Sequence, residues 1–177
     1  MSAVSLSKNE LDAPTAQALE AILVSISGAL LARGWMLTTA ESCTGGLIAA
    51  ACTDLAGSSQ WFERGVVSYS NAAKTELLGV DADLIAQHGA VSEPVARAMA
   101  EGALARSHAQ VSLAVTGVAG PTGGSADKPV GTVCFAWCVA GRTHCHTLHL
   151  SGNRAAVRDA TVRHALARLV DWLQPPA

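Results

Sequence analysis

The stretch Thr39-Ala40-Glu41-Ser42-Cys43-Thr44-Gly45-Gly46 constrains this chain more than any other. β-compatible residues 35–37 lead into it and an alanine-rich run, 47–52, leaves it, which reads as strand, tight turn, helix. Such a corner puts small hydroxyl side chains and free backbone N–H groups at the end of a sheet, where α/β proteins bind ligands. The helix N-terminus beyond it favours an anionic or electron-rich group.

The rest of the chain repeats this alternation. A helix is predicted over 14–33, with Asp12 as N-cap, Pro14 in the first turn and Gly34 at its end, after a loose lead-in over 1–13. A second strand is predicted over 66–69, then helical segments over 72–78, 81–88 and 95–106, the last started by Ser92-Glu93-Pro94. Small residues in that segment, Gly102 among them, suit close packing. A strand over 111–115 empties into a glycine-rich run, 116–124. Strands over 130–139 and 143–150 then read as a hairpin, and Asn153 caps a last helix stopped by Gln174-Pro175-Pro176. Five strands and about five helices predict one three-layer α/β/α domain over 14–174 with a mixed, mostly parallel five-stranded sheet.

With 177 residues, 50% hydrophobic and 15% charged, the chain can bury a full core as one domain. A net charge of −2 argues against a general electrostatic grip on nucleic acid. No signal peptide is visible, and the apolar run 21–31 is too short to cross a bilayer, so a soluble, cytoplasmic protein without membrane partners is expected. Five cysteines without a CxxC pair predict reduced thiols. Cys134 and Cys138 share a strand face but stand about 13 Å apart on strand geometry, too far for a disulfide.

Three loops hold the unusual residues: 41–46, 69–74 and 116–131. Parallel strands would bring them to one sheet edge. Ser42 is a candidate nucleophile if a base takes its proton and backbone N–H groups of Thr44, Gly45 and Gly46 hold an oxyanion; the competing reading is a helix cap. Lys74 is a candidate base if burial lowers its pKa, and otherwise a snorkelling surface residue. Tyr69, the one tyrosine, could relay a proton or simply pack. The glycine-rich run suits close approach of backbone to a ligand or a flexible surface loop. Arg154 and Arg158 stand in the first turns of the last helix, against its dipole, which points to an anionic partner, with a carboxylate favoured over a phosphate. His144 and His146 fall on one strand face, Cys145 and His149 on the other, so they do not converge on a metal. Cys43 is a rival nucleophile, better read as a small buried thiol.

Taken in order, several stretches resemble the CinA C-terminal domain, or nicotinamide-nucleotide amidase, family. They are Ala40-Glu41-Ser42-Cys43-Thr44-Gly45-Gly46; Val67-Ser68-Tyr69-Ser70-Asn71 with Lys74; Leu77-Leu78-Gly79-Val80; Gly89-Ala90-Val91-Ser92; Ala114-Val115-Thr116-Gly117-Val118-Ala119-Gly120-Pro121; and Lys128-Pro129-Val130-Gly131-Thr132-Val133. The likeness covers roughly residues 16–173. It implies hydrolysis of the carboxamide of nicotinamide mononucleotide to nicotinic acid mononucleotide and ammonia, with no metal or cofactor. By the same resemblance Ser42 is the nucleophile, Lys74 the general base and Tyr69 an aid to proton transfer. The Thr44, Gly45 and Gly46 backbone, Asn71, and the loop holding Thr116, Gly117, Ala119 and Gly120 would hold oxyanion and nucleotide. A homodimer is also implied. The alternative is a catalytically silent nucleotide-binding or competence-related module. Thr122 and Asn153 depart from the family pattern, Asn153 replacing a common aspartate. The molybdopterin-binding-like domain of many relatives, and any pyrophosphatase activity with it, is not expected in a chain this short.

Overall fold

The computed structural model describes residues 16–174. The elements are α1 (Ala16–Leu31), β1 (Leu37–Glu41), α2 (Leu47–Asp54), β2 (Phe62–Val67), α3 (Asn71–Leu78), α4 (Ala82–His88), α5 (Glu93–Ala105), β3 (Val111–Gly117), β4 (Thr132–Val139), β5 (Arg142–His149) and α6 (Arg154–Leu173). The strands form one sheet in the order β2-β1-β3-β4-β5. β1 runs parallel to β2 and β3, and β4 and β5 are antiparallel to their neighbours. Ala140 and Gly141 both have positive φ, 49° and 75°, the conformation that a tight two-residue hairpin turn requires. This is the mixed α/β sheet expected.

Direction decides what meets at the site. The C-terminal ends of β1, β2 and β3 lie at one edge. Two antiparallel steps bring the end of β5 to that same edge, so α6 also begins there.

Strand alternation divides the core. On one face, Leu37, Leu113 and Phe135 cluster with Ile26, Leu30, Ile48, Leu166 and Leu169 of α1, α2 and α6. On the other, Ala40, Ala114 and Ala136 cluster with Leu78 of α3 and with Val95, Ala96, Met99 and Ala100 of α5. Ala40 pairs with Ala114, and Ala114 with Ala136, so a row of methyl groups crosses three strands. Small side chains on both sides let α5 settle close, and the Ser112 hydroxyl donates to its Ala100 carbonyl at 2.7 Å. Opposite, Trp137 stacks on Phe135 and donates its indole N–H to Ala165 O of α6 at 2.9 Å.

Several boundaries differ from expectation. β1 runs to Glu41, so the corner begins at Ser42. β2 starts at Phe62 and ends at Val67, rather than spanning 66–69, because its pairing with β1 begins at Leu37–Phe62 and, after a one-residue register shift, runs from Thr38–Arg64 to Glu41–Val67. Gly65 obscured it in sequence: a Cβ there would stand 2.7 Å from Ala49 Cβ, so the glycine admits α2 over the strand. β3 extends to Gly117 because pairing with β4 continues to Val133. The predicted lead-in over 1–13, the Asp12 cap, Pro14 and the Pro175-Pro176 stop lie outside the described residues.

Gly102 is where α5 meets α3. A Cβ there would stand 2.0 Å from Leu78 O, a backbone atom. Glycine to alanine inside a helix normally gains about 1 kcal/mol. Here the clash should win, and Gly102→Ala is expected to lose about 1–3 kcal/mol in urea denaturation.

Candidate active site

Two adjacent residues at the end of β1 point to opposite faces, because side chains alternate along a strand. Glu41, 1% exposed, faces α2. Its carboxylate accepts from the Thr44 hydroxyl at 2.6 Å and from the N–H groups of Gly46, Ile48 and Ala49 at 3.0, 3.0 and 2.8 Å. These are donors that the first turn of a helix leaves without an intrahelical partner, and negative charge there also complements the helix dipole. Glu41 therefore caps α2, a role sequence reasoning did not assign. A carboxylate three residues before a threonine and six before a helix start was the available signal.

Ser42 turns the other way and does not cap the helix. Its Oγ lies 3.0 Å from Lys74 Nζ. Ser42 N–H donates to Val115 O at 3.0 Å, continuing the β1–β3 ladder and seating the serine at the sheet edge.

Lys74 arrives on α3, whose start is set by the Ser70 hydroxyl accepting from Ala73 N–H. The side chain is 1% exposed, so the snorkelling reading fails. Nζ donates to Ser68 O at 2.7 Å, and among the described residues no carboxylate pairs with it. Burial pushes its pKa below the ordinary lysine value. A neutral amine has two N–H donors and one lone pair: one donor serves Ser68 O, and the lone pair can accept the Ser42 hydroxyl proton. Cys43 is buried as well, which pushes its thiol up to about 11 and leaves it a poor nucleophile at neutral pH.

Ser42 and Lys74 open into a cavity of about 200 Å³ lined also by Cys43, Tyr69, Asn71, Thr116 and Arg154. Gly117, Ala119, Ala90 and Val91 complete the wall. The Thr116 hydroxyl donates to Ala90 O at 2.9 Å, fixing the end of β3 to the loop before α5. Tyr69 stands exposed at the mouth, and its oxygen accepts from Arg154 Nη2 at 3.0 Å rather than pairing with Ser42 or Lys74.

The glycines of the corner serve its shape. Gly45 N–H donates to Ser42 O and Gly46 N–H to Glu41, so neither amide is free to hold an oxyanion as expected. The N–H groups of Cys43 and Thr44 have no acceptor among the described residues. Gly120 lies behind the wall, its carbonyl accepting from Arg154 Nη1 at 2.9 Å.

Among the described residues neither arginine meets the carboxylate favoured for it. Arg154 holds Gly120 O and Tyr69, while Arg158 donates to Cys43 O at 3.1 Å and Thr44 O at 2.8 Å. Asn153 caps α6 by accepting from Ala156 N–H, a job its side-chain oxygen does as well as an aspartate's. Thr122 is exposed outside the cavity wall. His144 stacks on Trp172, and His146 bonds His164 at 2.8 Å, both toward α6. Among the described residues no group of three or more His, Cys, Asp or Glu side chains is gathered as a metal site, and no helix is long and apolar enough to cross a membrane.

Residues 19–173 match the model of the CinA C-terminal domain. The chain is 57% identical over 145 residues to a CinA-like protein of Mycolicibacterium gilvum, covering 81% of this chain and 34% of that one. It is 52% identical over 150 residues to nicotinamide-nucleotide amidohydrolase PncC of Escherichia coli strain K12, covering 84% of this chain and 90% of that one. The crystal structure of the competence/damage inducible protein CihA from Agrobacterium tumefaciens superposes with a TM-score of 0.87 at 45% identity, over 91% of this chain and 98% of that one. The chain spans only 38% and 34% of the longer curated relatives it matches.

Two outcomes follow from the buried charges. Glu41→Gln places an amide N–H₂ against backbone donors and removes the charge at the helix start, so a loss of about 2 kcal/mol is expected in urea denaturation. For Lys74, a depressed folded pKa means that the unfolded chain binds more protons between that pKa and 10.5, so stability rises with pH across that window. Lys74→Met lacks this dependence. Thermal melts at stepped pH should show wild type gaining on Lys74→Met as pH rises.

Proposed function

The chain belongs to the CinA C-terminal domain family, and we propose that it is a nicotinamide-nucleotide amidohydrolase with Ser42 as nucleophile and Lys74 as its base. The observation that carries this reading is the 3.0 Å separation of Ser42 Oγ and Lys74 Nζ inside a cavity. A serine hydroxyl is inert toward amides until a base within hydrogen-bond reach takes its proton. The desolvated Lys74 is that base.

The substrate is a small nucleotide bearing a carboxamide, nicotinamide mononucleotide. A cavity of about 200 Å³ is smaller than the ~300–1,000 Å³ that enclose a drug-sized ligand. The amide-bearing ring therefore enters, and the ribose phosphate stays at the mouth. Among the described residues Arg154 is the one cation besides Lys74 lining the wall, and it meets the phosphate there. Asn71, Thr116, Gly117 and Ala119 contact the ring and ribose.

Lys74 takes the Ser42 proton as Oγ bonds to the carboxamide carbon. The oxyanion is held by the N–H groups of Cys43 and Thr44. Lys74 returns the proton to nitrogen as the C–N bond breaks and ammonia leaves. Water then attacks the acyl ester, giving its proton to Lys74, which passes it to Oγ as nicotinic acid mononucleotide departs. The Tyr69 oxygen accepts from Arg154, so its own proton remains free to assist transfer at the mouth.

Incubating the protein with nicotinamide mononucleotide and measuring ammonia and nicotinic acid mononucleotide tests this. Wild type should release both in equal amounts, and Ser42→Ala should fall by at least about 10³-fold. The rate should climb along an acid limb as Lys74 loses its proton, since only the neutral amine accepts. No ammonia from wild type, or equal release by Ser42→Ala, would sink the reading.

A further inference from the structure

We propose that Arg158 is a positioning residue that aims the oxyanion-binding amides beside Ser42, an assignment that rests on the amidohydrolase reading above. The carbonyl of one residue and the N–H of the next share a rigid plane and point in opposite directions. Holding a carbonyl therefore aims the following N–H. Ser42 O accepts from Gly45 N–H at 3.1 Å, which sets the Cys43 N–H. Cys43 O accepts from Arg158 Nε at 3.1 Å, which sets the Thr44 N–H. Thr44 O accepts from Arg158 Nη2 at 2.8 Å, which sets the Gly45 N–H that closes the turn on Ser42 O.

Arg158 thus fixes two of three consecutive peptide planes directly and supports the third. Those planes need an external hold. The turn continues through Gly45 and Gly46 with φ of 60° and 98°, residues that permit peptide rotation more readily than any other. Arg158 makes no ion pair among the described residues, so its bonds to the turn are not shared with a carboxylate. Its position near the start of α6 opposes the helix dipole, and the two carbonyls offset that cost. The planar guanidinium fork presents Nε and Nη2 to the two carbonyls in fixed geometry, whereas a lysine ammonium offers its donors from one rotatable point of charge.

The test compares Arg158→Ala and Arg158→Lys with wild type in two assays. One is turnover of nicotinamide mononucleotide. The other is labelling by a fluorophosphonate, in which Ser42 Oγ forms a P–O bond, fluoride leaves and the hydroxyl proton goes to Lys74. Arg158→Ala should lower kcat by about 10²-fold through misaligned amides, with KM nearly unchanged and the acid limb of the pH profile unmoved. Labelling should slow in parallel, and Arg158→Lys should fall between. If Arg158→Ala does not fold, Arg158→Lys decides: an unchanged kcat and labelling rate overturns the assignment. A raised KM with kcat intact would make Arg158 a substrate contact and overturn it equally. Labelling of wild-type Ser42 without ammonia release sinks the amidohydrolase reading, and Arg158 is then judged by labelling rates alone. A wild type that neither labels nor turns over overturns both.

Discussion

The buried Glu41 carboxylate is the interaction on which the rest of the site depends. It collects the Thr44 hydroxyl and the amides of Gly46, Ile48 and Ala49 at the start of α2, and so fixes how the chain leaves β1. With those donors satisfied, Ser42 is not needed as a cap. Strand alternation turns it toward α3, where Lys74 waits. A neutral residue at position 41 would leave the helix start short of an acceptor. The nearby serine, a strong capping residue, would be the natural substitute.

The second half of the site is a buried amine held without a countercharge. Desolvation opposes the ammonium, and only the Ser68 carbonyl and the Ser42 hydroxyl receive it. Tight packing keeps it there. The Ala40–Ala114–Ala136 row and Gly102 let α5 and α3 press against the sheet, so the Lys74 stem is enclosed and its amine meets only the cavity beside Ser42. Burying this amine gives up stability, and the same desolvation holds its pKa below the ordinary lysine value. α6 completes the arrangement, since its first two turns hold the mouth through Arg154 and the turn after Ser42 through Arg158.

Much of the fold was legible because it depends on local patterns. The hairpin turn, the helix start at Ser92 and the Asn153 cap were all readable from spacing and turn chemistry. β2 was misplaced because Gly65 and the charged Glu63 and Arg64 hide an edge strand that pairing alone defines. Ser42 and Lys74 were singled out as candidates from the residues alone, but a serine before a helix and a lysine on a short helix are ordinary features, so a cap and a surface lysine stayed open until the family likeness. Glycine amides were the obvious oxyanion donors, yet two of them are already spent on the turn and the cap. Both arginines were correctly singled out as misplaced against a dipole, but their partners are carbonyls and a phenol.

By itself the sequence determined the alternation of strands and helices, the sharp corner at residues 41–46, and opposite faces for Glu41 and Ser42, because those depend on residues close along the chain. Only the tertiary structure decided that Lys74 is buried against Ser42, 32 residues away. It alone joined Arg158 to a turn 114 residues earlier. Desolvation and peptide orientation arise from what packs around a group, and no spacing rule along one chain contains them.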